Sequence, residues 1–353
     1  MGDDIRLDVT GPVLVVGGYG TVGGELSRLA ASAWPLLLTG RRPERGKALA
    51  GEVGAEVRRW DLSDPEPFSA RVRALISTVN DPDDRVLLAA IRDGVPYVDV
   101  MRWTARLQRA TAVAAVAPPT APVLLSSSWM GGVSALVAAG LSAEIGGAAG
   151  VEIAIRYDLK DRAGADSVEF MDRLGLDYEV TEGGRRRTIM PLTGTGVVTI
   201  GGHRTKVARI DTPEQFTLPL VLGVDTALTR IGFSAHSSTS MLLALKRTGF
   251  FRWGRGDRFE SVRRSMLSSP GEGGSALLRI DVRGKAGQRR TATLTDPAGQ
   301  AHLTALGGLL GLRRVLGEDG AAAPRGVVFP EMTPVPRSVV SELEKAGVEV
   351  ELS

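Results

Sequence analysis

The sequence that decides the fold is VLVVGGYGTVGGELSRLA, residues 13–30. A short apolar run is followed by Gly18, Gly20 and Gly23 in a G-x-G-x-x-G spacing, and a helical pattern follows directly. The first glycine permits a tight turn, the second lets the backbone approach a pyrophosphate, and the third allows close packing of helix on strand. Free N–H groups at the start of the helix can then hold an anion.

This glycine-rich segment is predicted to bind a dinucleotide. The pattern alone also fits a turn that binds no ligand. The strand before it, the helix after it and a second apolar strand at residues 36–39 favour the dinucleotide. The cofactor residues predicted here are Gly18, Tyr19, Gly20, Thr21, Val22 and Gly23.

The end of the second strand predicts which dinucleotide is bound. An NAD-binding protein usually places an Asp or Glu here, which accepts a hydrogen bond from the ribose 2′-hydroxyl. This chain has Thr39-Gly40-Arg41-Arg42 instead. Two guanidinium groups can bind a 2′-phosphate through charge-assisted, bidentate hydrogen bonds, so Arg41 and Arg42 predict NADP(H). The alternative is that these arginines only cover the edge of the sheet.

Two further strand ends are predicted to complete the cofactor site, since ligands of doubly wound sheets lie beyond the carboxyl ends of the strands. Asp61 is expected near the adenine, although a role in a turn or as a helix N-cap fits it equally well. Thr78, Val79 and Asn80 are expected beside the ribose and nicotinamide.

The order of apolar runs predicts an α/β fold with two domains. Six runs between residues 12 and 126 alternate with helical patterns, which indicates a Rossmann-type doubly wound parallel sheet. Residues 150–300 show longer alternating segments, which predict an α+β substrate and dimerisation domain with a mostly antiparallel sheet. Helices are expected at about 236–247 and 257–268, and the C-terminal segment is expected to pack back on the first domain. The predicted domains are 1–128, 129–300 and 301–353.

Composition excludes several classes of function. The 353 residues carry a net charge of only +3, and nucleic-acid binding would require a larger basic patch. The one basic run, Arg185 to Arg187, is interpreted as a solvated hairpin turn in preference to an anion-binding patch. There is no cysteine and no cluster with metal-ligand spacing, so we expect neither thiol chemistry nor a metal. The lack of an apolar N-terminal or membrane-spanning segment leads us to expect a cytoplasmic protein.

These residues resemble the saccharopine dehydrogenase-like superfamily of nicotinamide-dependent oxidoreductases. The resemblance covers most of the chain, and the segments that carry it are residues 15–23, 39–41, 94–99, 131–134 and 326–331. It implies a Rossmann domain split by a substrate domain, NADP use through Arg41, a homodimer and chemistry at a C–N bond. The chain departs from the family pattern at Val100-Met101-Arg102-Trp103, where members often have a small residue, Gly and Glu. The departure leaves the identity of the substrate open and allows a larger or anionic one.

Candidates for proton transfer are few. Asp99 and Arg102 are expected at the mouth of the fifth strand of the parallel sheet, and His236 lies in a polar cluster before a predicted helix. A helix cap explains Asp99 without a ligand, and Ser237 or Ser238 as an N-cap explains the cluster around His236. The leading hypothesis is NADPH-dependent reduction of an imine or iminium in a small amine or amino-acid-derived substrate. The alternatives are reduction of a carbonyl or conjugated C=C bond, with a carrier-bound substrate as one option, and a non-catalytic NADP-binding sensor or structural dimer.

Overall fold

The computed structural model describes residues 2–127, 129–161, 170, 173–253 and 273–353. The chain folds into two units, each built from two separate stretches of sequence. The first comprises Met1–Val133 with Thr304–Val335, and the second comprises Ser134–Leu303 with Pro336–Ser353. The helix expected at 257–268 lies outside the described residues.

The first unit is built on a parallel sheet. Its first elements, in chain order, are β1 (Asp4–Leu7), β2 (Val13–Val16), α1 (Thr21–Ala30), β3 (Leu36–Gly40), α2 (Lys47–Val53), β4 (Glu56–Arg59), β5 (Ser69–Val72), β6 (Ala74–Ser77), α3 (Arg85–Asp93), β7 (Tyr97–Asp99), α4 (Thr104–Val116) and β8 (Val123–Leu125). The seven-stranded sheet has the order Val327–Val328, β8, β7, β6, β2, β3, β4, and every pairing in it is parallel. The predicted doubly wound sheet is confirmed.

Continuous apolar runs give this sheet its buried centre. All residues of β2 and β6 are buried, whereas β4 at the edge is largely exposed, as expected for a parallel sheet with helices on its faces. Helix α1 buries Gly23, Leu26, Ser27 and Ala30, which lie on one face at helical spacing. Two strands of this unit were not predicted: β1 and β5 form a separate parallel pair, and each has only four residues that alternate polar and apolar, so neither contains an apolar run.

The second unit holds a mixed, mostly antiparallel sheet. Its elements and the return segment are α5 (Val133–Glu144), β9 (Ala148–Tyr157), β10 (Tyr178–Glu182), β11 (Arg185–Ile189), β12 (Gly196–Ile200), β13 (His203–Arg209), α6 (Glu214–Leu222), β14 (Thr226–Phe233), α7 (His236–Arg247), α8 (Phe250–Trp253), β15 (Ala276–Gly284), β16 (Arg289–Asp296), α9 (Gln300–Leu316), β17 (Val327–Val328), α10 (Val339–Lys345) and β18 (Glu349–Leu352). The sheet order is β12-β13-β14-β9-β15-β16-β18, and only β14 and β9 pair in parallel. The predicted sheet type is confirmed.

The structure corrects two expectations about this unit. Residues 336–353 belong to the second unit and not to the first, because β18 extends the second sheet by pairing with β16. The basic run is not a turn: Gly183 and Gly184 form the turn with φ of +61° and +71°, and Arg185–Ile189 is the strand β11 that follows.

Among the described residues, no helix is both long enough and apolar enough to cross a membrane.

The pairing of β18 with β16 can be tested by hydrogen exchange. The Thr291 N–H donates to the Ser353 carbonyl at 2.8 Å, and the Ser353 N–H donates back at 2.9 Å. Deleting residues 349–353 leaves the Thr291 amide unpaired at a sheet edge, so its exchange is expected to accelerate about fivefold or more, as for one lost hydrogen bond. Peptides from β2 serve as the internal control. Unchanged protection of β16 would contradict the pairing.

Candidate dinucleotide site

A tight turn leads the chain out of β2 at the carboxyl edge of the parallel sheet. Gly17 has a φ of +81°, a conformation that side chains disfavour. The N–H groups of Gly17 and Gly18 both donate to the Thr39 carbonyl, at 2.9 and 3.2 Å, and the Gly20 N–H donates to the Gly17 carbonyl at 2.9 Å. The left-handed residue is therefore Gly17, one position before the glycine to which the sequence pattern assigned the turn.

The third glycine of the pattern, Gly23, is required because there is no room for a side chain at this position. A Cβ atom on Gly23 would lie 2.8 Å from both the Gly17 carbonyl carbon and the Thr78 hydroxyl oxygen. Real Cβ atoms essentially never come this close, so only glycine lets α1 pack against the turn. Buried Ser27 fixes the same contact, because its hydroxyl donates to the carbonyls of Gly18 and Gly23 at 2.9 and 2.7 Å.

The start of α1 is suited to an anion. Its N-cap is Gly20, no side chain caps it, and its first turn contains no acidic residue. Gly20 and Thr21 are exposed there. The first N–H groups of a helix lack partners within the helix, and the helix dipole adds a partial positive charge. This end of the helix can therefore hold a phosphate group.

The loop after β6 lies beside this turn, and its expected position beside the ribose and nicotinamide stays a prediction. The Thr78 N–H and hydroxyl both donate to the Val16 carbonyl, at 3.0 and 2.9 Å. The proximity of a Gly17 Cβ to the Val79 side chain shows that Val79 packs on the turn. Asn80 follows and is exposed.

Arg41 and Arg42 extend from the end of β3 and are both exposed. Neither forms an ion pair with any residue that the structure describes. Residues 39–43 contain no carboxylate that could accept from a ribose hydroxyl. This end of β3 therefore presents free positive charge.

Asp61 is engaged in its own turn. Its carboxylate accepts from the Ser63 hydroxyl at 2.7 Å and from the Ser63 N–H at 3.1 Å. The hydroxyl hydrogen bond lowers the pKa of Asp61, with smaller contributions from the Ser63 N–H and Arg59. Asp61 therefore has the turn role that the sequence allowed, and its contact with the adenine stays a prediction.

Asp99 and Arg102 come together, but in a buried network. Arg102 Nε donates to Asp99 Oδ2 at 2.6 Å, Arg102 Nη1 pairs with Asp84, and both side chains of the Asp99–Arg102 pair are only 2% exposed. The Tyr97 hydroxyl also donates to Asp99 Oδ2, at 2.6 Å. Burial, reinforced by Asp99, raises the pKa of Tyr97 well above its usual value, so the hydroxyl stays protonated. Arg102, expected to face a substrate, instead faces carboxylates.

This network connects several elements of the first unit. The Ser127 hydroxyl accepts from the Arg102 N–H at 2.9 Å and donates to the Asp99 carbonyl at 3.1 Å, which joins the ends of β7 and β8. Asp84, the N-cap of α3, also pairs with Arg109 of α4 at 2.9 Å. The ion pairs therefore join the loops that follow β6, β7 and β8, on one side of the switch point between β2 and β6.

Two further groups, one in each unit, were not among the site residues predicted from the sequence. Buried Asp81 accepts from the backbone N–H groups of Arg85 and Val86, at 3.0 and 2.8 Å, and burial raises its pKa. The position of an Asp shortly before a helix could have indicated this cap. In the second unit, His302 Nδ1 lies 2.8 Å from an oxygen of Asp296, which is 1% exposed. A sequence separation of six gives no signal for that pair.

His236 is the first residue of α7, with Ala235 as the N-cap. Its side chain lies outside the described part of the structure. The proposed N-cap roles of Ser237 and Ser238 are wrong, because both residues lie within the helix. No group of three or more metal-binding side chains occurs among the residues described.

The chain was compared with family models, curated proteins and solved structures. No family model and no curated protein matches the chain. Among solved structures, saccharopine dehydrogenase (L-Glu forming) from Saccharomyces cerevisiae superimposes with a TM-score of 0.67, at 13% identity over 97% of this chain and 99% of that one. The chain has the saccharopine dehydrogenase fold. The expected fold likeness is thus confirmed.

Two other solved structures are more distant. Myo-inositol dehydrogenase from Corynebacterium glutamicum has a TM-score of 0.40, at 13% identity over 98% of this chain and 95% of that one. Dihydrodipicolinate reductase from Paenisporosarcina sp. has a TM-score of 0.40, at 10% identity over 92% and 100%. Both are too distant to inform the site.

The requirement for glycine at position 23 can be tested against its neighbour in the same helix. Gly23→Ala is expected to lower the free energy of unfolding by about 1–3 kcal/mol, because backbone must move to admit the methyl group. Gly24→Ala is the matched control: its Cβ would meet nothing closer than 3.8 Å, and alanine favours helix. Urea denaturation measures both. Equal effects of the two substitutions would contradict the close approach of α1.

The buried network predicts unequal effects of two arginines that share Asp84. Arg102→Met leaves Asp99 buried without its cation and leaves Asp84 with Arg109 alone, which is expected to reduce the free energy of unfolding by about 3–5 kcal/mol. Arg109 is 58% exposed, so Arg109→Ala is expected to lower it by less than about 1 kcal/mol. Urea denaturation of both variants checks the difference. If Arg102→Met leaves stability unchanged, Arg102 does not hold the buried network together and is again a candidate for contact with substrate.

Proposed function

We propose that this chain is an NADPH-dependent oxidoreductase that reduces an imine or iminium C=N bond in a small amine or amino-acid-derived substrate. One observation carries the cofactor assignment. An uncapped helix start at Gly20 follows the turn that bonds to the end of β3, where Arg41 and Arg42 are exposed and residues 39–43 include no Asp or Glu.

The residues present fit the two anionic parts of NADP(H). The pyrophosphate would bind to the first N–H groups of α1, where glycines let the nucleotide approach the backbone. The 2′-phosphate would bind to Arg41 and Arg42 through charge-assisted hydrogen bonds. NADH would leave its ribose hydroxyls without a carboxylate partner at this strand end.

The bound nicotinamide would supply the hydride, and the protein must orient the acceptor and manage one proton. Asp99 is a poor proton donor, since Oδ1 accepts from the Met101 N–H at 3.0 Å while Oδ2 accepts from Tyr97 and Arg102. We therefore assign Asp99 and Arg102 a positioning role at the ends of β7 and β8. The proton is assigned to solvent.

The C=N assignment is supported by the fold shared with saccharopine dehydrogenase and by the sequence resemblance. Reduction of a carbonyl or a conjugated C=C bond is the competing reaction within the same chemistry. The homodimer implied by the resemblance stays a prediction.

The contacts of Asp99 also favour a second candidate. If no other acid or base serves the reaction, the chain is an NADP-binding sensor or structural protein without catalysis. The experiment that separates these functions measures NADPH oxidation with three sets of acceptors: aldehyde–amine pairs, the aldehydes alone, and conjugated enones. Turnover only with aldehyde–amine pairs supports imine reduction. Tight NADPH binding without turnover in any set supports the sensor.

The cofactor preference depends on Arg41. Arg41→Ala is expected to weaken NADPH binding at least about tenfold through loss of a charge-assisted contact, while NADH binding changes little. Titration of NADPH and NADH fluorescence measures both dissociation constants. Arg71→Ala, an exposed arginine on β5, is the charge-matched control and is expected to alter neither. Equal weakening of both cofactors by Arg41→Ala would refute a contact with the 2′-phosphate.

A further inference from the structure

Tyr19 lies inside the glycine-rich turn, but its side chain is directed at the loop after β3. Its hydroxyl oxygen accepts a hydrogen bond from the Arg42 N–H at 3.1 Å. Burial, the largest influence, raises the pKa of Tyr19, so the hydroxyl is neutral at physiological pH. The residue thus connects the phosphate-binding turn to the loop that carries the exposed arginines.

Two glycines lie directly against the tyrosine ring: Gly40 at the end of β3 and Gly46 just before α2. A Cβ atom on Gly40 would lie 2.6 Å from Tyr19 Cζ, and one on Gly46 would lie 2.5 Å from Tyr19 Cδ1. Neither glycine has a positive φ, and Gly46 has an ordinary helical conformation with φ −87° and ψ −13°. Their backbone conformations would therefore admit any residue. The space taken by the ring is what requires glycine at both positions.

We call Tyr19, Gly40 and Gly46 the tyrosine strut. Arg41 and Arg42 lie between the two glycines, so the ring supports both ends of the segment that bears them. The segment is restrained further where the Gly40 carbonyl accepts from the Trp60 N–H at 3.1 Å. Long arginine side chains lose less freedom on binding when their backbone is already fixed. The strut therefore lowers the entropic cost of holding an anion at this loop.

We propose that Tyr19 is a positioning residue that selects NADP(H) over NAD(H), by holding the loop that presents Arg41 and Arg42 to the 2′-phosphate. This inference rests on the proposed cofactor. It assigns part of the cofactor preference to an uncharged residue of the glycine-rich turn, in addition to the two arginines that would bind the 2′-phosphate. The consequence is that removing one neutral oxygen atom should change the discrimination between two cofactors that differ by a phosphate.

The first test is Tyr19→Phe, which keeps the ring and removes the hydrogen bond to Arg42. NADPH binding is expected to weaken about fivefold, the effect of one hydrogen bond, while NADH binding changes by less than about twofold. The probe pair 2′,5′-ADP and ADP should show the same selective loss. In a background where both arginines are replaced, Arg41→Ala with Arg42→Ala, Tyr19→Phe should have little further effect on NADPH. Equal loss for NADPH and NADH, or full additivity with the double replacement, would overturn the proposal.

The second test uses the crowding between ring and glycine. Gly46→Ala forces the Tyr19 ring to move, so NADPH binding should weaken selectively, as in Tyr19→Phe. In a Tyr19→Ala background the space is open, and Gly46→Ala should then have no further effect on NADPH binding or on stability. Gly51→Ala is the matched control, because a Cβ there meets nothing within 4 Å. A Gly46→Ala effect that persists without the ring would refute the strut.

These outcomes separate the inference from the function on which it rests. A wild-type protein that binds neither NADPH nor NADH refutes the cofactor assignment. A wild-type protein that prefers NADPH and depends on Arg41, but is indifferent to Tyr19→Phe and Gly46→Ala, refutes the strut alone.

Discussion

The close approach of helix α1 to the turn at Gly17 is the constraint on which the rest of the site depends. The helix can begin where it does only because Gly23 has no side chain to strike the Gly17 carbonyl. That contact directs the free N–H groups of the helix toward the carboxyl edge of the sheet and leaves room for Thr78 and Val79 beside them. Ser27 stabilises this packing, because its hydroxyl bonds to the Gly18 carbonyl in the turn and to the Gly23 carbonyl in the helix.

Buried ion pairs also stabilise the carboxyl edge of the parallel sheet. Asp84, Asp99 and Arg102 are almost inaccessible, and the energy of such a group depends on having every partner in place. The network does not substitute for apolar packing: the strands it joins already have a core built from β2, β3, β6 and the C-terminal part of α9. Its effect is to fix the directions in which the loops after β7 and β8 leave the sheet.

Much of this could be predicted from the sequence, for physical reasons that also show where prediction fails. The buried strands were found because they are continuous apolar runs, and the dinucleotide turn because its glycines have a fixed spacing. The strands β1 and β5 were missed because each has only four residues, contains no continuous apolar run and pairs with a strand far away in the sequence. The burial of Arg102 could not be foreseen, since residue type does not reveal whether a guanidinium faces solvent or carboxylates. Tyr19 likewise looks like a variable position in the pattern until its ring is seen against Gly40 and Gly46.

The return of α9 into the first unit has a consequence for synthesis on the ribosome. Ala305, Leu309, Leu312 and Val315 complete the core around β2 and β3, yet they follow Val133 by a whole inserted unit. At a translation rate of about 5–20 residues per second, these side chains are synthesised roughly 10–40 seconds after the parallel strands. During that interval the face later covered by α9 is open. The nascent chain is therefore expected to rely on chaperones while the second unit is being made.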